Sequence, residues 1–395
     1  VNAVAFTGEA QFLRRHERLF DAVAKLGFAI RPLDLRERDA RARLRYAGTA
    51  GAYAARAALS PGPLTWRERM SPRDLKAAFD RSPQGFALKS REFAGALGRS
   101  VAPPQAIVHV FGLSSPQVAA GGIPFAHYLD YTYALALRGR DLPVKPRTDG
   151  ERRRFLELER QSYERATALF AMSRLVRDSL VEDYGIAPHK IAVTGAGSNI
   201  AVDAAAPKRY GSRRLLFNAS EFERKGGELV FAAFERLRAS DPRVTLVTVG
   251  APLPAAYAGR AGVEERGRVT LDQMRELYVT CDLVLAPSLR DPFPGVVIEA
   301  MSLGTPAIVR DRDGMPEIAT DGIDGIVVRD SDATTERFAS LVRELLDDDA
   351  RLRRLSDGAR ATVAARLNWD AVAQHMLPFL IHASDRSARS ARRLT

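Results

Sequence analysis

Four short blocks between Asp282 and Val309 leave few folds open. Residues 282–288 (Asp-Leu-Val-Leu-Ala-Pro-Ser) are an apolar run of strand length, and 291–295 (Asp-Pro-Phe-Pro-Gly) are a loop rich in proline and glycine. The residues up to Gly304 have the spacing of a short amphipathic helix, and 306–309 are a second apolar run. Strand, loop, helix and strand in so little chain predict a β-α-β crossover and hence a parallel sheet. The helix start leaves the N–H groups of Gly295, Val296 and Val297 without intrahelical partners, and such amides receive an anion such as a diphosphate. Glu299, about one turn further in, suits a pair of vicinal hydroxyls such as a ribose presents, and Asp291 suits a sugar hydroxyl. For an isolated acidic pair of this spacing, a charged helix start and a solvated turn are the simpler reading, so the rest of the chain must decide.

The same alternation recurs in both directions. Residues 1–8 and 28–33 read as strands flanking a single helix over 11–26, with Gly8 closing the first strand in a tight turn. Residues 34–100 are arginine-rich, helical in pattern and broken by prolines, and Trp66, Met70 and Phe79 are expected to pack them onto the sheet. Strands follow at 106–112 and 123–131, then a long helical region at 152–183, then a strand from 190 that runs into Gly195 and Gly197. These glycines and the aperiodic 203–209 predict a junction between domains. Residues 214–218 open a second domain as a strand. The loop at 219–227 carries Arg224 and Lys225 into a glycine-rich helix start, where a lysine is a suitable point charge for a diphosphate. For that pair alone, a solvated helix terminus is the better reading. Helices are predicted at 335–346, 350–367 and from 368 to 380, and a polar, basic, disordered tail at 383–395.

Composition removes several classes. A length of 395 residues with 46% hydrophobic content suits two globular domains. The one cysteine, Cys281, excludes an internal disulfide framework and fits a reducing compartment. No apolar run approaches the ~20 residues of a membrane-spanning helix, and residues 1–20 lack a secretion-signal pattern, so a cytoplasmic protein is expected. Residues 1–200 hold 31 Lys+Arg against 20 Asp+Glu, which is the whole net charge of +11. A basic half of this kind attracts anionic lipid headgroups, pyrophosphate-linked acceptors or nucleic acid, or else reflects arginine on solvated helix faces. It lacks the aromatic interleaving that reads bases, so nucleic acid is not an expected partner.

Residues 291–325 resemble the signature region of the family 4 retaining glycosyltransferases. That family has two glutamates eight positions apart around a Phe-Gly loop, followed by Ala-Met-x-x-Gly-x-Pro. This chain has Asp291 at the first acidic position, Pro294-Gly295 in the loop, Glu299 at the second, and Ala300-Met301 through Gly304 and Pro306. Gly314-Met-Pro-Glu317 and residues 321–325 continue the likeness, 171–173 (Ala-Met-Ser) resemble the family's short strand and serine before the domain junction, and 269–278 resemble the turn and helix that flank the nucleotide base. It departs again at Ser220, where the family usually has an arginine five positions before the lysine.

The resemblance implies a GT-B fold: α/β, two Rossmann-like doubly wound domains facing a central cleft. The domains would be 1–200 on the acceptor side and 209–368 on the nucleotide-sugar side, with the C-terminal helix, 370–382, crossing back to the first. It implies transfer of a sugar from a UDP- or GDP-sugar to a glycan, lipid-linked or small-molecule hydroxyl, without metal or other cofactor. Donor-binding residues would be Lys225, Arg224, Gly295, Val296, Val297, Glu299 and Gly8. Asp130, with His127 in reserve, would meet the donor sugar at the end of the 123–131 strand, and Asp291 would act beside it. His109 is expected to be structural. Contact with an anionic membrane through the basic half would place the protein on the inner face of that membrane. Two other classes stay open: a sugar-nucleotide epimerase or isomerase on the same fold, drawing on His127 and Asp130, and a non-catalytic sugar-nucleotide-binding protein.

Overall fold

The computed structural model describes residues 3–34, 40–59, 72–99, 102–117, 122–139, 148–201 and 208–392. Trp66, Met70 and residues 202–207 of the expected junction lie outside them. The chain divides into two compact units, Val1–Thr194 with Ala373–Thr395, and Gly195–Val372.

The first unit is built on a parallel six-stranded sheet in the order β2-β1-β3-β4-β5-β6. Its strands are β1 (Ala3–Gly8), β2 (Ala29–Asp34), β3 (Ala106–Val110), β4 (Phe125–Leu129), β5 (Ala168–Ala171) and β6 (Ile191–Val193). The central strands β1, β3 and β4 are buried along their whole length, as continuous apolar runs covered on both faces must be. Helices α1 (Ala10–Arg14) and α2 (Glu17–Lys25) follow β1. They replace the one helix expected there, because the His16 ring takes the Phe12 carbonyl at 2.7 Å and interrupts the ladder. Between β2 and β3 come α3 (Ala40–Leu59), α4 (Pro72–Asp80) and α5 (Pro83–Gly98), so the insertion is helical as expected. Phe79 packs with Tyr53, Ala78 and Leu88 inside the insertion, while the ring of Phe93 on α5 meets His109 of the sheet.

After β4 come α6 (Tyr133–Arg138) and α7 (Asp149–Arg165); α8 (Arg174–Glu182) follows β5. The helical region expected over 152–183 is therefore divided. Ala168–Ala171 pairs with β4 and β6 as a strand, since its apolar run completes the sheet between them.

The second unit repeats the plan in the order β12-β11-β10-β7-β8-β9, all parallel. The strands are β7 (Arg214–Asn218), β8 (Thr245–Val249), β9 (Val263–Glu265), β10 (Leu283–Ala286), β11 (Ala307–Arg310) and β12 (Ile326–Val328). The helices are α9 (Gly227–Ser240), α10 (Leu271–Thr280), α11 (Gly295–Ser302), α12 (Met315–Ile318), α13 (Thr335–Asp347) and α14 (Asp349–Arg366). Phe217, Phe231, Phe234, Leu283, Ile308 and Phe338 centre its core.

The glycine segment expected to be a hinge belongs to this second unit. A Cβ on Gly197 would lie 2.5 Å from the Trp369 amide nitrogen. Ser198 shares a hydrogen bond with Ser302 at 3.1 Å, and the Trp369 indole donates to Asn199 at 3.2 Å. The last helix, α15 (Trp369–Arg392), starts in the second unit and passes to the first at Ala373. A disordered tail from 383 was expected; instead the helix continues, with Ala383 fully buried. Among the described residues no helix is long and apolar enough to cross a membrane.

Candidate active site

In an open parallel sheet, ligands bind beyond the carboxyl ends of the two strands from which the connections diverge. In the second unit those strands are β7 and β10: β8 and β9 extend the sheet from one, β11 and β12 from the other. The loop after β7 carries Arg224 and Lys225, and the loop after β10 carries Asp291. Gly226 brings them together. It has φ 78°, and a Cβ there would sit 2.4 Å from the Pro287 carbonyl oxygen, so only glycine lets the two loops approach this closely.

Lys225 and Asp291 form an ion pair, with their side chains 13% and 11% exposed. Arg224 points the same way, its Nη1 at 3.8 Å from the same carboxylate oxygen, although its Nε is taken up by Glu221. Arg224 therefore ties loops together more than it offers a free cation: Leu289 N–H donates to its carbonyl at 2.8 Å, and its guanidinium donates to the Arg290 carbonyl. The Asp291 loop is tied from the other side as well. Arg312 donates to the Leu289 carbonyl at 2.9 Å, Asp291 N–H to Asp313 Oδ2 at 2.8 Å, and Gly314 N–H to the Pro292 carbonyl at 3.0 Å. Ser288 Oγ reaches Asp291 at 3.4 Å.

Helix α11 begins where this loop ends. Its N-cap is Pro294, which supplies no side-chain cap, so the first-turn amides of Gly295 and Val296 are not satisfied that way. Gly295 is exposed, and a Cβ on it would meet nothing within 4 Å. Val297 does not belong to this donor set: its N–H donates to the Pro294 carbonyl at 3.1 Å and its side chain is fully buried. Glu299 is half-buried, and the hydroxyl of Tyr278 on α10 donates to its Oε2 at 3.2 Å. Burial, followed by the Glu299 charge, pushes the Tyr278 hydroxyl well above the usual phenol range, so it stays a donor. Ser220 holds no cation; it lies beside Gly250, its N–H donating to Asn218 Oδ1 at 3.0 Å.

Asp313 and Ser288 were not anticipated as members of this cluster, and Tyr278 was expected only as the end of a helix flanking the nucleotide base. An Asp-Gly dipeptide at 313–314 does mark a turn. The contact of Tyr278 with Glu299 has no local signal, because an aromatic residue on a helical run reads as core.

In the first unit, Gly8 ends β1 and Asp130 follows β4, so both lie at the carboxyl rim of that sheet, Asp130 half-buried. His127 does not reach a ligand. It is fully buried within β4, its Nε2 is 2.7 Å from Ser162 Oγ, and its ring is packed edge-on against His109 and Tyr163. Burial holds it well below the usual histidine range, so it is a neutral core residue. His109 is likewise structural, bonded to Thr7 at 2.9 Å and Ser114 at 3.1 Å. Among the described residues no group of three or more His, Cys, Asp or Glu could hold a metal ion.

Residues 212–348 match the family model described as glycosyl transferases group 1. A D-inositol 3-phosphate glycosyltransferase of Thermobispora bispora is 27% identical over 258 residues, 59% of this chain and 60% of that protein. The chain thus spans somewhat over half the length of the curated relatives it matches. Sucrose-phosphate synthase from Thermosynechococcus elongatus superposes with a TM-score of 0.69 at 18% identity, covering 99% of this chain and 100% of that one. HepE of Anabaena, in complex with UDP and glucose, gives 0.61 at 13% identity over 97% and 100%. These likenesses establish the GT-B fold of two Rossmann-like sheets.

Proposed function

We propose, from the premise that residues 212–348 are a group 1 glycosyltransferase domain, that this protein is a retaining glycosyltransferase. It takes a sugar from a nucleoside-diphosphate donor, UDP- or GDP-linked, and passes it to a hydroxyl of a glycan, lipid-linked or small-molecule acceptor. One observation carries the reading: a lysine ammonium, a loop carboxylate and a helix start without a side-chain cap converge at the switch point of the second sheet, with a second carboxylate about one turn further on. HepE of that fold is complexed with UDP and glucose, and the inositol-phosphate enzyme is named for a small hydroxylated acceptor, which agrees with it.

In this mechanism the diphosphate lies against the amides of Gly295 and Val296 and draws on the Lys225 ammonium, which Asp291 holds in place beforehand. Glu299, oriented by Tyr278, accepts from the ribose hydroxyls. Asp291 accepts from a hydroxyl of the donor sugar. The bond from the anomeric carbon to the phosphate oxygen breaks and the bond to the acceptor oxygen forms on the same face. The acceptor proton passes to the departing phosphate oxygen, so no protein base is consumed. Catalysis is then positioning and leaving-group stabilisation, with Lys225 and the amides carrying the charge in place of a metal ion. The basic excess of residues 1–200 supports peripheral contact with an anionic membrane on its cytoplasmic side.

An isomerase reading loses support from the burial of His127, which removes one of its two acid/base candidates. The test is incubation with UDP- and GDP-sugars, with and without methyl glycosides, inositol 3-phosphate and lipid-linked acceptors, following nucleotide release and the anomeric configuration of the product. Acceptor-dependent release with retained configuration is expected. An altered sugar still on its nucleotide, or binding without turnover, overturns the proposal.

A further inference from the structure

The helical insertion between β2 and β3 is fastened to the candidate ligand end of the first sheet by two consecutive residues. In that sheet the connections diverge from β1 and β3, so its own switch point lies between the loop after β1, Gly8-Glu9, and the loop after β3, residues 111–117. Helix α5 reaches both. Lys89, with its side chain 3% exposed, places its ammonium 2.9 Å from Glu9 Oε1. Ser90 Oγ accepts the Ser115 N–H at 2.9 Å.

Behind Lys89 stands Asp80, the last residue of α4, at 3.2 Å. Asp80 in turn takes the Tyr46 hydroxyl of α3 at 3.0 Å and the Lys76 ammonium of α4 at 2.6 Å. Glu9–Lys89–Asp80 is thus a buried charge relay that joins α3, α4 and α5 to the residue that follows Gly8. The two carboxylates offset the burial of this ammonium, and the ammonium offsets the repulsion between them. Ser115 extends the tie, accepting from Ser162 Oγ at 2.6 Å, so the β3 loop is held from α7 as well.

We propose that Lys89 is a positioning residue for the acceptor half of the reaction: through Glu9 it sets the turn after β1, and with Ser90 it sets the width between the two loops at which a hydroxylated acceptor docks. This rests on the transferase reading above, with the nucleotide held by the second unit. It gives the arginine-rich insertion, which carries no motif of its own, a defined task in acceptor selection.

The test compares wild type with Lys89→Met, Lys89→Arg and Glu9→Gln, the last keeping shape and hydrogen bonding if Lys89→Met folds poorly. Three readouts are taken: UDP affinity by calorimetry, rates against methyl glycoside or inositol 3-phosphate at saturating donor, and amide exchange over 9–13 and 111–117. Expected are an acceptor KM raised by about tenfold with UDP affinity unchanged, faster exchange in both segments, and partial recovery in Lys89→Arg. Wild-type exchange and acceptor KM in Lys89→Met and Glu9→Gln overturn the proposal. So does a loss of UDP affinity equal to the loss of acceptor binding, which means general destabilisation. If wild type itself turns over no donor, the transferase reading fails, and the exchange data still decide whether Lys89 holds the two loops.

Discussion

The ammonium group of Lys225 is seated on the carboxylate of Asp291, and the two come from loops that leave adjacent strands of the second sheet. Both side chains are nearly enclosed, so each charge depends on the other before any ligand arrives. Removing the Asp291 charge strands Lys225 at a cost of about 3 kcal/mol, removing Lys225 costs less because Arg224 stands 3.8 Å from the same carboxylate, and removing both charges costs less than the sum of the single changes. Urea unfolding of Lys225→Met, Asp291→Asn and the double variant should show that coupling. Activity should fall by about a hundredfold or more in Lys225→Ala, since the leaving diphosphate loses its cation. Near-normal turnover in that variant would remove Lys225 from the site.

Gly295 offers a cleaner probe of the ligand. Beyond its chain neighbours and its own helix backbone, no atom lies within 4 Å of a Cβ placed there, so Gly295→Ala should leave stability within about 0.5 kcal/mol of wild type. If a diphosphate approaches the helix start as proposed, the same methyl group should weaken UDP binding by about tenfold. Calorimetry on the folded variant separates the two effects, and unchanged affinity would place the phosphates elsewhere.

Tyr278 should act through Glu299. Tyr278→Phe removes one partly buried hydrogen bond, worth about 1 kcal/mol, and should raise the donor KM several-fold with little change in kcat. Glu299→Ala should cost a few kcal/mol of transition-state stabilisation, and Tyr278→Phe should add almost nothing to it. Independent, additive losses in the double variant would contradict the contact.

Acid should destabilise the first unit through its buried histidines. Burial lowers His16 to about 4 and His109 to about 3, and holds His127 well below the usual range. Below the ordinary histidine value of about 6.5 the unfolded chain binds these protons and the folded chain does not, so stability drops as pH falls through that value towards the folded pKa values. Each such histidine contributes a slope of about 1.4 kcal/mol per pH unit. Glu159 works in the opposite direction. Burial pushes it up to about 8, so between that value and the ordinary glutamate range the folded state holds the extra proton. Stability should therefore rise slightly as pH falls from about 8 to 6.5 and then decline, because three histidines outweigh one carboxyl. Denaturant midpoints across that range would check it, and His109→Gln should flatten the acid side.

Chelation should be without effect. With Lys225 and the α11 amides carrying the leaving-group charge, dialysis against EDTA should leave the transfer rate within about twofold of the untreated enzyme. A loss restored by a divalent cation would require a different account of leaving-group stabilisation.

Much of this organisation was legible before any coordinates. The alternation of apolar runs with helical spacing marked most of the strands, and the block from Asp282 to Val309 placed Asp291, Gly295 and Glu299 on the loop and helix they occupy, because local patterning and glycine chemistry act within a few residues. Short strands were harder: β9 and β12 have three residues each, and β5 was marked within a helical stretch only by the family resemblance at 171–173, since pairing across the sheet rather than propensity makes them strands. His127, the reserve behind Asp130, proved to be core, because periodicity cannot say whether a polar residue in an apolar strand faces a ligand or the core.

Composition and spacing thus settled that there would be two doubly wound sheets and which loops would face their carboxyl ends, since both follow from short-range chemistry repeated along the chain. Which charges meet was left to packing: Lys225 with Asp291, Tyr278 with Glu299, and Lys89 with Glu9 are 66, 21 and 80 positions apart. Pairs so distant carry no mutual signal in a single sequence, and they find each other because burying each sheet packs its loops and helices together, where an unpartnered charge would be too costly to keep.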